Sequence, residues 1–204
     1  MKLTHLAIIF ALLVTACSSD TSSQEPLPYQ QLNRISLNVK DLSFVDRGID
    51  HYPATPLLVP PLQPTVTDAV HRWATDRLQA VGNDGLAAFV VKNAYVTEEK
   101  IPTDSSWFER KQASKMTAHV EIEFDARNNQ SYGLATANAV RSVSVPENPT
   151  DGERQDAYNR LIDGLMVDLD KYLDQAIHEH MREFIVTDPV IGSKLPPQSP
   201  NQAP

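Results

Sequence analysis

Apolar and polar residues alternate along 115–127 and again along 130–146, and this alternation gives the clearest structural signal in the chain. In the first segment, Met116 to Ala126 contributes apolar side chains at every even position. Because successive side chains of a strand point to opposite faces, both segments are predicted to be half-buried strands. Asn128 and Asn129 predict a two-residue turn that pairs Arg127 with Gln130.

This pairing would place a row of large apolar side chains on one strand beside a row of small residues on the next. We call the second row the small-residue row; it consists of Gly133, Ala135, Ala137 and Ala139. Such a flat surface lets a helix backbone approach closely. The opposite face carries Glu121, Glu123 and Asp125, and is predicted to face water.

Helical spacing of apolar residues occurs in two segments. The first predicted helix covers Thr65 to Val81, with Gly82 at its C-terminal cap. The second begins at Thr150 with a capping box completed by Glu153 and follows one apolar stripe over 151–184. Gly164 is a potential weak point in this long helix.

Two further strands are predicted, at 34–42 and at 86–96, the second apolar on both faces and therefore central. The intervening segment 43–64 contains five prolines, which exclude a regular helix or an inner strand there. Its apolar residues are expected to lie extended across the domain. The element order predicts an α+β fold: a two-layer sandwich of a mostly antiparallel sheet with two helices on one face, the C-terminal helix being long.

The N-terminus has the features of a secretory signal peptide over residues 1–16. Lys2 supplies the positive charge, and Leu6 to Val14 forms nine consecutive apolar residues. A helix that spans a membrane needs about 20 such residues, so this stretch is too short to be one. Small residues then lead to Cys17, the single cysteine of the chain.

The stretch Leu13-Val14-Thr15-Ala16-Cys17 resembles the lipobox of bacterial lipoproteins. The resemblance implies cleavage before Cys17, attachment of a diacylglycerol to its sulfur and acylation of its new amino group. Ser18 follows, where Asp would resemble an inner-membrane retention signal, so the implied location is the outer membrane, facing the periplasm. The alternative is an ordinary signal peptide followed by a buried free cysteine.

The rest of the chain is expected to divide into three parts. Residues 17–32 are polar and form a lipidated flexible tether, 33–185 form the α+β domain, and 186–204 form a disordered proline-rich tail.

The segments Ala94–Lys100, Val145–Glu147 and Glu153-Arg154 resemble motifs of uncharacterised bacterial lipoproteins. The order of elements more loosely resembles auxiliary lipoproteins of ABC-type transporters and the lipoprotein partner of the lipopolysaccharide-assembly barrel. The resemblance implies no known activity, and it implies a protein partner in the cell envelope.

The composition of the chain argues against several classes of function and site. The chain has 204 residues, a net charge of −8, 41% hydrophobic residues, seven glycines and one cysteine. The acidic balance argues against a partner nucleic acid. The single cysteine excludes a disulfide framework and a cysteine-based zinc site, and few glycines argue against phosphate-binding loops.

No set of residues predicts catalysis. His178 and His180 are two positions apart on a helix, where they point in different directions and cannot share a metal. Glu121, Glu123 and Asp125 share a strand face that is ordinarily solvated. The helix over 151–184 holds nine acidic and four basic residues and is a possible surface for a basic partner.

The loop 101–115 contains Trp107 and Phe108 beside Arg110 and Lys111. The two aromatic side chains either tuck under the sheet edge or form an exposed partner contact with the two cations nearby.

These observations predict a lipid-anchored, non-enzymatic envelope protein that binds another envelope component, without cofactor or metal. The alternative is a carrier or sensor of an apolar ligand held between sheet and helix, and an enzyme is a third hypothesis.

Overall fold

The structure is a computed structural model that describes residues 27–101 and 112–187. Within these residues the chain forms six strands and two α-helices, with a short 3-10 helix at each end. The strands are β1 (Ile35–Leu37), β2 (Asp41–Asp46), β3 (Leu78–Ala80), β4 (Leu86–Lys100), β5 (Gln112–Arg127) and β6 (Tyr132–Pro146); the α-helices are α1 (Val66–Arg77) and α2 (Asp151–His180); the 3-10 helices are Pro28–Gln31 and Arg182–Phe184. The order of strands and α-helices along the chain is β1-β2-α1-β3-β4-β5-β6-α2.

The main sheet has the strand order β2-β4-β5-β6. β4, β5 and β6 pair antiparallel and β2 pairs parallel with β4, while β1 and β3 form a small parallel pair of their own. Both helices cover the same face: Trp73 of α1 stacks on Phe89 of β4, and Phe89 packs against Phe124 of β5 beneath α2. The predicted α+β class, with its mostly antiparallel sheet and long C-terminal helix, is confirmed.

The long strands and the long helix match in length. Strands of 15 or 16 residues extend about 50 Å and α2, with 30 residues, extends about 45 Å. α2 ends at His180 rather than at 184, and Met181 and Phe184 after it are buried. The last turns are therefore packed on the sheet. Within the described residues, none of the helices combines the length and the apolar character needed to cross a bilayer.

The hairpin between β5 and β6 differs from the prediction by two residues. Arg127 pairs with Tyr132 rather than Gln130, and the turn has four residues, 128–131. Oδ1 of Asn128 accepts hydrogen bonds from the backbone N–H groups of Gln130 and Ser131, which stabilises the longer turn. A shift of two keeps every side chain on its predicted face, so the small-residue row still faces the helices.

The first predicted strand and the first predicted helix each divide. The strand 34–42 is β1 and the start of β2, separated at the buried Val39. α1 stops at Arg77 because the chain becomes extended at Leu78 and pairs with β1. Gly82 is not the left-handed cap of α1: a Cβ there would lie 2.6 Å from the backbone of Asn38, so glycine permits close approach.

Residues beyond both predicted domain limits contact the domain, one through its side chain and one through its backbone. Tyr29, inside the segment 17–32 predicted to be a tether, is only 3% exposed and belongs to the core. At the other end, the N–H of Val186 donates to the carbonyl of Ser36. The core therefore includes the last residues of the predicted tether.

The proline-rich segment forms a strap, by which we mean residues 49–62. Its first part adds to β4 through a bridge between Ile49 and Asn93, and its second part through a bridge between Leu57 and Thr97. The N–H of Leu58 donates to the carbonyl of Val96 at 2.8 Å. The strap thus lies extended beside the sheet, as predicted, although residues 43–46 belong to β2.

A buried polar cluster joins α1 to α2. Asp170 accepts hydrogen bonds from Nε1 of Trp73 at 2.9 Å and from Nε of Arg77 at 3.0 Å. Arg77, only 3% exposed, also donates to Asp174 and to the carbonyl of Asn33. The cluster thus supplies hydrogen-bond acceptors to the buried guanidinium of Arg77. Since one of these acceptors is the carbonyl of Asn33, the cluster also holds the chain before β1 against both helices.

Candidate functional site

The residues singled out from the sequence as anchor and partner contact lie outside the described residues. These are Cys17, Trp107, Phe108, Arg110 and Lys111. The structure shows where the loop 102–111 is attached: at Ile101 after β4 and at Gln112, which pairs with Pro146 at the end of β6.

Side chains considered for catalysis have other partners. Glu121 accepts a hydrogen bond from Asn93 at 2.7 Å, and Glu123 pairs with Lys92 at 3.5 Å. His178 contacts Asp174 within its own helix, and His180 is exposed. Across 27–101 and 112–187, no group of three or more His, Cys, Asp or Glu is placed to hold a metal ion.

The acidic side chains of α2 are largely engaged within the protein. Asp170 and Asp174 bind Arg77, and Asp168 binds Arg141 at 2.9 Å. These contacts place the carboxylates at the boundaries of α2 with α1 and β6. The helix therefore offers less free negative charge to a basic partner than its composition indicates.

The most extended unpaired backbone in the described part of the chain is the outer edge of β6, which we call the open edge. β6 has 15 residues, one charged side chain (Arg141) and one proline, at its last position. At Gly133 the helix-facing side of β6 meets the C-terminal segment, since a Cβ there would lie 3.3 Å from the carbonyl of His180. No described strand pairs with the open edge.

The opposite edge of the sheet is different. β2 has six residues and has Asp at both ends. Short strands and charged residues commonly prevent unwanted strand pairing. β6 is long and has one charged residue, so its edge lacks both forms of protection.

Apolar side chains lie beside the open edge on the face away from the helices. Tyr132 is 65% exposed and Val140 is 52% exposed, with Leu134 between them. Val140 lies opposite His119, whose ring stacks on Tyr95 with centroids 4.9 Å apart. Burial there lowers the pKa of His119, which favours the neutral ring. On this face β6 itself thus carries apolar and uncharged side chains, while the neighbouring β5 carries Glu121, Glu123 and Asp125.

Arg141 occupies the helix side of the same strand. It follows the small-residue row, opposite Ala118, and its guanidinium lies against Gly164 of α2. A Cβ at Gly164 would lie 2.7 Å from Nε of Arg141, so glycine makes room for this side chain. From the sequence, Gly164 is identified only as a potential weak point of the helix. Arg141 continues the alternation of the small-residue row, and this pattern could have indicated that its side chain lies beneath the long helix.

A cleft of about 570 Å³, here called the strap cleft, lies between the strap, β4 and the first turn of α1. Its apolar walls include Leu57, Val59, Val66 and Val96. Tyr158 at the wall donates its hydroxyl to the carbonyl of Pro64, and burial, with Asp68 nearby, raises the pKa of Tyr158 to about 12. The phenol is therefore a neutral donor.

A second cleft, of about 530 Å³, lies on the other side of Leu57, Leu58 and Val59. Arg154 donates two hydrogen bonds to Glu98 there, at 2.9 and 2.6 Å. These bonds, with one from Ser114, hold the pKa of Glu98 below its usual range. The pair ties the N-terminal turns of α2 to the end of β4.

The place predicted for an apolar ligand, between the sheet and the long helix, is packed with side chains. Leu165 and Leu169 of α2, and Ala135 of the small-residue row, are fully buried in one continuous core. The strap cleft is instead beside α1, so the apolar space lies at a different position from the one the sequence suggested.

Comparison with known proteins gives only structural matches of low similarity. No family model matches the chain, and no curated protein matches its sequence. Among solved structures, rare lipoprotein B from Shewanella oneidensis has a TM-score of 0.37 at 9% identity, over 69% of this chain and 95% of that one. A minor lipoprotein from Acinetobacter baumannii has a TM-score of 0.37 at 12% identity, over 74% and 98%. The hypothetical protein CT253 from Chlamydia trachomatis has a TM-score of 0.37 at 10% identity, over 66% and 98%. TM-scores below 0.5 do not establish a shared fold.

Proposed function

We propose that this chain is a lipid-anchored, non-enzymatic protein of the cell envelope that binds another envelope protein by strand addition to the open edge. The anchor is Cys17, through the lipobox-like stretch that ends there. The outer membrane, on its periplasmic side, is the proposed location, because Ser18 rather than Asp follows the cysteine.

The open edge is the observation that carries the proposed mode of binding. An unpaired strand presents a row of backbone N–H and C=O groups that can pair with an extended segment of another protein. In β6 these groups lie between the exposed Val140 and Leu134 on one face and α2 on the other. Backbone pairing would supply affinity, and these flanking side chains would supply specificity.

The loop 102–111 belongs to the same proposal as a second contact. It rejoins the sheet at Gln112, opposite Pro146 at the end of β6. Trp107, Phe108, Arg110 and Lys111 precede Gln112 in the sequence, and Gln112 lies beside the far end of the open edge. Aromatic and arginine side chains are enriched at protein interfaces, which supports their role as partner contacts.

In-cell photocrosslinking tests the strand-addition proposal. A photoreactive residue at Thr136 of β6 should capture one defined envelope protein. The same residue at Val45, a similarly exposed position on β2, is the matched control and should not capture it. Asn138→Lys with Val140→Lys should abolish capture while leaving thermal stability near wild type, because both side chains are exposed. Equal capture from β2 and β6, or capture unaffected by the two lysines, would reject the proposal.

The anchor is tested separately. Cys17→Ser should prevent both incorporation of labelled fatty acid and removal of the signal peptide, since it removes the thiol that would be modified. Equal labelling of the variant and the wild type would exclude Cys17 as the anchor without affecting the result for β6.

A further inference from the structure

We infer that the strap cleft is a binding site for a cationic amphiphile, a small molecule with a single aliphatic chain and one positively charged group. The site lies at the β2 side of the sheet, away from the open edge, and does not depend on the proposed partner.

The walls of the cleft account for the aliphatic part. Leu57, Val59, Pro61, Val66 and Val96 present apolar surface around about 570 Å³ of space, which is within the usual range for small-molecule sites. Val59 is 79% exposed, so one wall is formed by a large apolar side chain that the fold itself leaves in water. A ligand chain lying against Val59 would remove this surface from water.

The charges of the cleft account for the head group. Of the fourteen described residues that line it, two are ionisable carboxyls, Asp46 and Asp68, and none is Lys, Arg or His. Hydrogen bonds from Thr65 lower the pKa of Asp68, so this carboxylate remains charged at neutral pH. Arg72 and His71, which do not line the cleft, act on Asp68 from nearby, whereas Asp46 and Asp68 are the charged groups at the cleft wall. An anionic head group would therefore meet two carboxylates at the wall itself.

The N-terminus of α1 lies at the same cleft, and the positive end of its dipole favours a negatively charged ligand. Asp68 already accepts hydrogen bonds from the N–H and hydroxyl of Thr65 in a capping box, which offsets the partial charge of the helix end. Asp46 uses one oxygen, Oδ1, to accept from the N–H of Gly48. The surplus charge is therefore negative, and Asp46 is its source.

The test compares two probes of equal chain length, octyltrimethylammonium and octyl sulfonate, by calorimetric titration of the full chain in lipid nanodiscs. Empty nanodiscs provide the reference for partitioning into lipid. The cationic probe should bind saturably and about tenfold more tightly than the anionic probe. Equal binding of the two probes, or no saturable binding of the cationic one, would overturn the inference.

Substitutions inside and outside the strap cleft test whether the cationic probe binds there. Asp46→Asn should weaken the cationic probe about three- to fivefold and leave the anionic probe unchanged or slightly improved. Val59→Lys removes an exposed apolar wall and adds a positive charge, and it should weaken the cationic probe at least as much. Val167→Lys, at an exposed valine of α2 outside the cleft, is the matched control and should bind like the wild type. Unchanged binding in Val59→Lys would overturn the inference.

A peptide of alternating leucine and lysine is the third probe. Like the octyl cation, the peptide combines aliphatic and positively charged groups, but it presents them on a protein segment. If it binds more tightly than the octyl cation and competes with it, the occupant is a protein segment and the small-molecule proposal fails. Weaker binding of the peptide supports the amphiphile.

Discussion

The guanidinium of Arg141 lies where a side chain of Gly164 would be: a Cβ built on Gly164 would be 2.7 Å from Nε of Arg141. The arginine continues the small-residue row toward the end of β6 and reaches Asp168 one turn further along α2. A glycine inside a long helix is thus matched to a charged residue on the strand beneath it.

This relationship predicts non-additive stability. Gly164→Ala gains about 1 kcal/mol of helix propensity, but it displaces Arg141 and its exposed ion pair, which offsets up to about 1 kcal/mol. We expect almost no change in the wild-type background. In an Arg141→Ala background the same substitution should stabilise the protein by about 0.5–1 kcal/mol. Urea unfolding of the four proteins in the cycle measures this, and additive effects would show that the two residues do not compete for space.

The small-residue row predicts a contrast between neighbouring positions of β6. Ala137 is buried beneath the helices opposite Ile122, whereas Thr136 is exposed on the other face. Ala137→Leu should destabilise the protein by about 1–3 kcal/mol through overpacking. Thr136→Leu should change stability by less than about 0.5 kcal/mol. Chemical denaturation compares the two, and similar losses would contradict the assignment of faces.

The buried cluster around Asp170 predicts a large effect from one carboxylate. Asp170→Ala leaves Nε1 of Trp73 without its acceptor and removes one of the two carboxylates around Arg77, at a cost of about 2–4 kcal/mol. Asp168→Ala, which breaks the exposed pair with Arg141, should cost less than about 1 kcal/mol. Thermal and urea unfolding check both values. Equal losses would mean that burial does not distinguish the two ion pairs.

Glu98 predicts a dependence of stability on pH. Arg154 and Ser114 hold the pKa of the folded carboxyl below its ordinary value of 4.5, so the stabilisation is present above that value and is lost as pH falls further. Glu98→Gln should be less stable than the wild type at neutral pH and should lose less stability on acidification. Arg154→Gln should also flatten the acid limb, since it removes the donor. Parallel pH profiles for all three proteins would contradict this linkage.

The loop 102–111 predicts a separation of stability from binding. If Trp107 and Phe108 contact the partner, changing both to Ser should leave the melting temperature nearly unchanged and abolish in-cell crosslinking at β6. If the rings are instead tucked into the core, each should cost about 3–5 kcal/mol, and a melt would show the loss at once. The latter result would remove these residues from the proposed contact.

Local patterns predicted the elements that carry strong periodicity. The alternation in β5 and β6 gave the correct faces, and Thr150 with Glu153 gave the correct start of α2. The error of two residues in the hairpin arose because a side chain, Asn128, determines the turn through hydrogen bonds that alternation does not encode.

Features that depend on distant contacts were not predictable in the same way. Leu78 continues the helical spacing of α1, yet it becomes extended because β1 supplies a strand partner far away in the sequence. The strap cleft likewise arises where the strap, β4 and α1 meet. No single segment contains the signal for it, although the apolar Leu57 and Val59 among prolines mark one wall.

The two edges of the main sheet differ, and this difference limits how the protein can assemble through its strands. Growth of a fibre by strand addition requires each subunit to have two receptive edges, one for the subunit before it and one for the subunit after it. This domain has a long receptive edge at β6, while β2 at the other side has six residues bounded by aspartates. Once a strand has paired with β6, the domain therefore offers no second edge of the main sheet at which a fibre could grow further. The fold permits one-to-one association through its backbone and opposes polymerisation along it.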